Sequence, residues 1–259
     1  MSFININNTQ IHYSTVGSGD PLILLHGISD SSQFFTPLTS KLTGIQVIQP
    51  DLRGHGESTK DADISVKLLT EDIIHILDKS DIEKVNILGF SMGSLIAQNL
   101  ALEFPKRVKS LTICSGYSSC NNELSETFRK LEEITAKGGI PAFFDEMIEL
   151  VYTKEYLLKH PEMYQFREAA VQMNSQAAIL KCLDICRNFD KESELPEIRV
   201  PALIMYGSED ILVPPEHSKK MHCLMKNSEL LSFPTGHNFF LPENIRKIAM
   251  EIQKFLFRI

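Results

Sequence analysis

The sequence lacks the features that mark nucleic-acid-binding and membrane proteins. It has no excess of positive charge, because 26 Lys and Arg stand against 33 Asp and Glu, a net charge of −7. A phosphate-binding surface needs a basic face, so we do not expect nucleic acid as a partner. No apolar run approaches the roughly 18 residues that a membrane span requires, so we expect no membrane partner either.

Signals for export, disulfides and cofactors are also missing. The opening MSFININNTQ has neither a basic nor an apolar segment, so no secretion signal is expected. Five cysteines, an odd number at irregular spacing, do not suggest a disulfide framework, and a reducing cytoplasm is the expected location. Gly54-His55-Gly56 is followed by Thr59 where a dinucleotide fingerprint needs glycine, and no Walker G-K-[ST] exists. We see no metal-ligand motif and expect neither a cofactor nor a metal.

Short apolar runs alternate with helical patterns along most of the chain. The runs are too continuously apolar to have a wet face, which is typical of a parallel sheet covered on both sides. The opening FININNTQIHYSTVGSG predicts two antiparallel edge strands joined at an Asn-rich turn. Helices are predicted near 65–79, 91–104 and 214–225, with an amphipathic helix at the end from Ile245 to Leu256. The predicted parallel strands are 21–27, 44–51, 84–90, 108–116, 201–210 and 228–234.

Residues 119–191 interrupt the alternation. They predict one helix after another with no strand between them. We therefore predict a core made of 1–118 and 192–259, with 119–191 as an all-helical insertion in a single structural domain.

The segment GFSMG at 89–93 joins a predicted strand to a predicted helix. A serine hydroxyl becomes a nucleophile when it is exposed, has a base beside it and has donors for the oxyanion. A tight strand–turn–helix corner exposes Ser91 and crowds the positions two before and two after, which gives Gly89 and Gly93 a steric reason to lack side chains. The alternative interpretation is that Ser91 only caps the helix.

Five blocks of the sequence resemble the α/β-hydrolase superfamily in order and spacing. They are LLHGISDSSQFF, DLRGHGES, GFSMGSLIAQ, VPALIMYGSEDILVP and GHNFF. The resemblance covers nearly the whole chain outside 119–191. It implies an α/β-hydrolase fold, a mostly parallel doubly wound sheet with an antiparallel N-terminal edge, and it implies that the helical insertion is a cap.

The resemblance also implies a catalytic triad in the order Ser, acid, His. Ser91 matches the nucleophile. His237 follows the last predicted strand, where the family's histidine lies. Asp210 matches the acid, and its neighbour Glu209 is expected to be solvated. The oxyanion hole would be formed by the backbone N–H groups of Ile28 and Met92.

The substrate pocket is less sharply predicted. The apolar segment AFFDEMIELVY offers Phe143, Phe144 and Met147, but the sequence does not fix the rotation of the helix. Leu212 and Asn238 flank the triad in sequence and are further candidates.

The chemistry implied is acyl transfer through a covalent serine ester on a small-molecule substrate. The apolar insertion suggests a small or medium uncharged ester, thioester or lactone. Two alternatives stay open: the same triad could hydrolyse a carbon–carbon bond or perform perhydrolysis, or the chain could be a ligand-sensing binding protein. The natural substrate and the oligomeric state are not predicted.

Overall fold

The structure, a computed structural model, describes residues 2–6 and 8–259. Met1, the first residue of the opening segment, and Asn7, in the predicted Asn-rich turn, lie outside the described residues.

Eight strands form one sheet in the order β1-β2-β4-β3-β5-β6-β7-β8. The first two pairs, β1 with β2 and β2 with β4, are antiparallel, and every other neighbouring pair is parallel. The predicted N-terminal antiparallel edge is therefore present. The strands are β1 (Ser2–Ile6), β2 (Thr9–Val16), β3 (Asp20–Leu25), β4 (Ile45–Pro50), β5 (Val85–Phe90), β6 (Val108–Cys114), β7 (Ala202–Gly207) and β8 (Ser228–Phe233).

The central strands are apolar on both faces because helices cover both sides of the sheet. Every residue of β5 and β7 is buried. Successive residues of β3 point to opposite faces, and Ile23 and Leu25 pack in one apolar cluster while Leu22 and Leu24 pack in the other. This arrangement confirms the predicted α/β fold class.

The sheet is flanked by α1 (Thr36–Thr39), α2 (Val66–Lys79), α3 (Met92–Glu103), α8 (Pro215–Leu224) and α9 (Ile245–Leu256). The apolar stripe predicted on the last helix is the buried face of α9. Three short 3-10 helices join them, at Ser32–Phe35, Pro105–Arg107 and Leu195–Glu197. No helix among the described residues is both long enough and apolar enough to cross a membrane.

Residues 119–191 are helical, as the sequence pattern predicts. They form α4 (Asn122–Val151), α5 (Lys154–Lys159), a 3-10 helix (Pro161–Phe166), α6 (Arg167–Met173) and α7 (Gln176–Asn188). The helix α4 is broken at Gly139, whose φ of 69° is left-handed, so two helical stretches are present. The ends of the insertion meet through a bridge between Ser119 and Asp190. In the C-terminal half of the insertion, Asn174 Nδ2 donates to the Ser29 carbonyl, which places the insertion over the loop after β3.

Candidate active site

Ser91 lies on the corner between β5 and α3 in a strained conformation. Its φ of 52° and ψ of −120° are rarely adopted by a residue with a side chain. Its N–H donates to the Cys114 carbonyl at 2.9 Å, which fixes the corner to the next strand. The Ser91 side chain makes no capping hydrogen bond to α3, so its hydroxyl is free for another partner. The helix-cap interpretation of this serine is therefore not supported.

The glycines on either side of this corner have no room for a side chain. A Cβ on Gly89 would lie 2.6 Å from the Cα of Ser94, closer than real Cβ atoms approach. A Cβ on Gly93 would lie 2.6 Å from the carbonyl carbon of Leu25. The close approach of β5, α3 and β3 at this point explains both glycines in the G-x-S-x-G pattern.

The ring of His237 is held against the serine by the loop after β8. His237 Nε2 lies 2.9 Å from Ser91 Oγ. The carbonyl of His237 accepts a hydrogen bond from Ser115 Oγ at 2.7 Å, and the next N–H, of Asn238, donates to the Val151 carbonyl at 2.9 Å. The loop is therefore tied both to the end of β6 and to the helical insertion.

Asp210 follows β7 and orients the imidazole. Its Oδ2 lies 2.7 Å from His237 Nδ1, and Oδ1 accepts from the N–H groups of Leu212 at 3.0 Å and Val213 at 2.8 Å. Both side chains are essentially inaccessible to solvent. A carboxylate only accepts, so Nδ1 carries the proton and Nε2 is left to accept from the Ser91 hydroxyl. The neighbouring Glu209 is exposed, as expected.

The loop after β3 carries the first predicted oxyanion donor, Ile28, and lines the space in front of Ser91. The second, Met92, is the first residue of α3, so its N–H has no acceptor within the helix. The Met92 side chain packs in the core. His26 orders this loop: its Nε2 accepts from the Leu52 N–H at 3.0 Å and its Nδ1 donates to the Gly27 carbonyl at 2.8 Å. Burial lowers the pKa of His26, which agrees with a neutral, structural ring.

A cavity of about 540 Å³ opens in front of the serine. It is lined by the loop after β3, by the corner at Ser91, by the His237 loop and by the helical insertion. Of the predicted pocket residues, the structure places Phe144, Met147 and Asn238 in its wall.

Phe143 and Leu212 do not line this cavity, in contrast to the sequence prediction. Phe143 is fully buried in the core cluster, because successive residues of a helix point about 100° apart and only Phe144 faces the cavity. Leu212 is buried as well, and it contacts Asp210 through its backbone N–H.

Several polar side chains of the cavity were not identified from the sequence, and Asp30 and Tyr152 are two of them. Asp30 lies on the loop after β3, and burial raises its pKa to about 7. Tyr152 directly follows α4, and its hydroxyl accepts from Asn238 Nδ2 at 2.9 Å. The only signal for Asp30 was its position two residues after Ile28 in the predicted oxyanion loop.

The residues of the segment DLRGHGES make structural contacts. Arg53 forms a buried bidentate pair with Asp72, at 2.6 and 2.5 Å. His55 Nδ1 donates to the Arg53 carbonyl, and burial lowers the pKa of His55 to about 3. Within the described part of the chain, no group of three or more His, Cys, Asp and Glu side chains is arranged to hold a metal ion.

The fold and the site together define an α/β-hydrolase. The sheet is mostly parallel, the serine lies on a strained corner after β5, the acid follows β7 and the histidine follows β8. The sequence profile of the alpha/beta hydrolase fold family matches residues 20–244, and the chain belongs to this family. The resemblance and the predicted enzyme class are thereby confirmed.

The chain is also similar to individual proteins. It is 27% identical over 218 residues, 83% of this chain and 82% of the relative, to the Azorhizobium caulinodans protein named "Putative carbamate hydrolase RutD". The solved structure of an esterase from Exiguobacterium antarcticum is 26% identical with a TM-score of 0.87, covering 98% of both chains. The enol-lactonase from Burkholderia xenovorans LB400 gives a TM-score of 0.90 at 20% identity, covering 98% of this chain and 99% of that one, a likeness of fold.

Proposed function

We propose that this protein is a serine hydrolase that cleaves a small or medium ester-type bond: a carboxylic ester, a thioester or a lactone. The observation that carries the proposal is the continuous chain of hydrogen bonds from Ser91 Oγ through His237 to Asp210. These hydrogen bonds link a nucleophile, a base and an acid that orients the base, the three side chains that acyl transfer by serine requires besides the oxyanion donors.

The first half of the reaction forms an acyl-enzyme. Ser91 Oγ attacks the carbonyl carbon while its proton passes to His237 Nε2. The oxygen that becomes negative is bound by the backbone N–H groups of Ile28 and Met92. Asp210 stabilises the imidazolium, which then gives the proton to the leaving alcohol, thiol or hydroxyl as the carbon–oxygen or carbon–sulfur bond breaks.

The second half regenerates the enzyme. Water gives a proton to His237 Nε2 and attacks the carbonyl of the serine ester. The same two N–H groups bind the second oxyanion. Collapse of this intermediate returns the proton to Ser91 Oγ and releases the acid.

The helical insertion, residues 119–191, acts in this proposal as a cap. Phe144, Met147 and Tyr152 belong to the insertion and line the same cavity as Ser91. A volume of about 540 Å³ suits a small molecule. Exclusion of water by the cap strengthens the electrostatic contribution of the oxyanion donors.

Carbamate hydrolysis is a second candidate, favoured by the 27% identity to the relative from Azorhizobium caulinodans. A carbamate has a carbonyl with an oxygen or nitrogen leaving group, so the same three residues would act in the same order. The alternatives of carbon–carbon hydrolysis and perhydrolysis use this triad too. A ligand sensor would instead bind without appreciable turnover.

The test is hydrolysis of p-nitrophenyl esters of increasing acyl length by wild type and Ser91→Ala in parallel, with a p-nitrophenyl carbamate included. We expect turnover of short or medium esters by the wild type only, with a length optimum that reports the size of the cavity. Equal activity in Ser91→Ala would reject the serine mechanism. Carbamate turnover above that of every ester would select the second candidate, and an absence of turnover by either protein would favour the binding protein.

A further inference from the structure

The catalytic cavity contains an acid that the triad does not use. Among the described residues that line the cavity, Asp30 is the only Asp, Glu, Lys or Arg. Its carboxyl group makes no hydrogen bond or ion pair with the described part of the chain, whereas other acids near the active site are well partnered. Asp51, for example, accepts from the N–H groups of Ser32 and Glu57 and lies 2.8 Å from His12 Nδ1.

The carboxyl group of Asp30 lies close to the nucleophile. The position that a Cβ on Gly27 would occupy is 3.4 Å from Asp30 Oδ2 and 3.3 Å from the Cβ of Ser91. A substrate whose carbonyl carbon is attached to Ser91 Oγ therefore has its nearest substituents within reach of Asp30.

Aromatic rings form much of the wall of the same cavity. Tyr152 and Tyr156 are stacked with ring centroids 5.3 Å apart, and Phe34 is stacked on Phe90 at 4.9 Å. The faces of aromatic rings carry partial negative charge and attract ammonium groups, including quaternary ones. An unpaired carboxyl group and aromatic walls in one cavity are complementary to the same kind of ligand, an organic cation.

We propose that Asp30 is a specificity-determining residue that selects substrates with a positively charged group, such as an ammonium, close to the scissile carbonyl. This inference rests on the proposed ester hydrolysis at Ser91. It replaces the sequence-based expectation of an uncharged substrate. It also implies that substrates with a carboxylate in the same place are disfavoured, because two like charges would meet there.

The ionisation of Asp30 is consistent with this role. Burial raises the pKa of Asp30 to about 7, and no neighbouring charge contributes to this shift. A carboxyl group without an internal partner is held partly neutral, and a cation bound beside it favours the charged form.

The test compares pairs of esters that differ only in charge. In one pair the alcohol is choline or its neutral isostere, in which tert-butyl replaces trimethylammonium. The other pair consists of two p-nitrophenyl esters. The acyl chain of one ends in trimethylammonium, and the acyl chain of the other ends in tert-butyl. The readout is the ratio of kcat/KM for the cationic ester to that for the neutral ester, in wild type, Asp30→Asn and the matched control Asp61→Asn. Asp61 is exposed and outside the cavity, so this control makes the same change of net charge.

We expect the ratio to fall by about tenfold to a hundredfold in Asp30→Asn for at least one pair, and to stay at the wild-type value in Asp61→Asn. The difference in intrinsic reactivity between the two esters of a pair cancels when the ratios of two proteins are compared, because every protein is measured on the same two esters. An unchanged ratio in Asp30→Asn for both pairs would overturn the inference. Thermal unfolding of the variants checks that they are folded.

The pH dependence of the ratio gives a second readout. The other titratable groups that face the cavity are His237, Tyr152 and Tyr156. His237 acts on both esters of a pair and cancels, and burial raises the pKa of both tyrosines, so they stay neutral. In wild type the ratio should rise as the pH passes upward through about 7, where Asp30 ionises, and Asp30→Asn should show no such rise.

A binding measurement separates failure of this inference from failure of the proposed function. Calorimetry with an alkyltrimethylammonium ion, which has no bond to hydrolyse, is done on wild type, Asp30→Asn and Asp61→Asn. Affinity about tenfold weaker in Asp30→Asn only, together with no hydrolysis of any ester, would retain the cation site and reject ester hydrolysis. Equal affinity in all three proteins, with ester hydrolysis that depends on Ser91, would reject the cation site alone.

Discussion

The substitution Asp210→Asn tests how the buried acid controls His237, the base in the proposed mechanism. Asp210 uses both carboxylate oxygens: Oδ2 faces His237 Nδ1, and Oδ1 accepts from the N–H groups of Leu212 and Val213. Asparagine has nearly the same shape, so the fold should be retained. Only one end of its amide accepts, however, and the two N–H groups hold that end at the Oδ1 position. The NH₂ group then donates to Nδ1, which leaves the imidazole proton on Nε2, where it blocks proton transfer from the serine.

The size of the effect follows from the cost of reversing this amide. The reversed orientation would restore the active tautomer but would leave two buried N–H groups unsatisfied, at about 1–3 kcal/mol each. The penalty of about 2–6 kcal/mol corresponds to a fall in kcat of about 30-fold to 3 × 10⁴-fold. We expect the upper part of this range, because the neutral amide also fails to stabilise the imidazolium.

The assay is the kcat for the best p-nitrophenyl ester, with Glu209→Gln as the matched control. Glu209 is the adjacent acid and is exposed, so its replacement should change kcat by less than about twofold. Circular dichroism and thermal unfolding verify that both variants are folded. An Asp210→Asn variant that retains more than about one tenth of the wild-type kcat would refute the tautomer reasoning, and a large loss in Glu209→Gln would move the role to Glu209.

Three further predictions concern the structure around the site. Arg53→Met leaves the buried Asp72 carboxylate unpaired, so urea unfolding should show a loss of about 3–5 kcal/mol, and a loss under about 1 kcal/mol would contradict this role. Gly89→Ala forces the added Cβ against the Gly93 and Ser94 backbone, so both ester turnover and the unfolding free energy should fall; wild-type values for both would show that the corner can relax. The pKa of His55 is lowered to about 3 in the folded state. As the pH falls, the unfolded chain therefore binds a proton at His55 at a higher pH than the folded protein does. The unfolding free energy should therefore fall as the pH drops from about 6.5 towards 3, and this group contributes up to about 1.4 kcal/mol per pH unit. The fall should be less steep in His55→Gln. Identical slopes in the two proteins would argue against a buried neutral ring.

The fold was predictable because both faces of the sheet are covered. Continuous apolar runs such as the one that forms β5 leave no other environment in which every residue can be buried. The helical insertion was equally visible, since helical periodicity replaced the alternation with strands over 119–191. The break in α4 was signalled by Gly139, which adopts a backbone conformation that other residues avoid.

The site was predictable only where a motif fixes the backbone. Ser91, Asp210 and His237 each follow a strand, so the parallel sheet brings them to one edge, where the structure finds them in hydrogen-bond contact. The cavity wall was not predictable to the same degree. The choice between Phe143 and Phe144 depends on the rotation of a helix, which is set by packing against the core.

The electrostatic character of the cavity depends on the tertiary structure as well. Asp30 occurs among small polar residues in the sequence, and apart from its position two residues after Ile28 nothing local distinguishes it from a solvated loop acid. Only the arrangement of the loop after β3 under the insertion shows that its carboxyl group lies beside Ser91 without a partner.

The most direct test of the account is covalent labelling of the nucleophile. A fluorophosphonate reacts with a serine that is activated by a neighbouring base, and peptide mass spectrometry locates the modified residue. The account predicts modification of wild type on the peptide that contains Ser91, none on Ser91→Ala, and much slower modification of Asp210→Asn. Modification of a different residue, or equal incorporation into Ser91→Ala, would contradict the claim that Ser91 is the nucleophile.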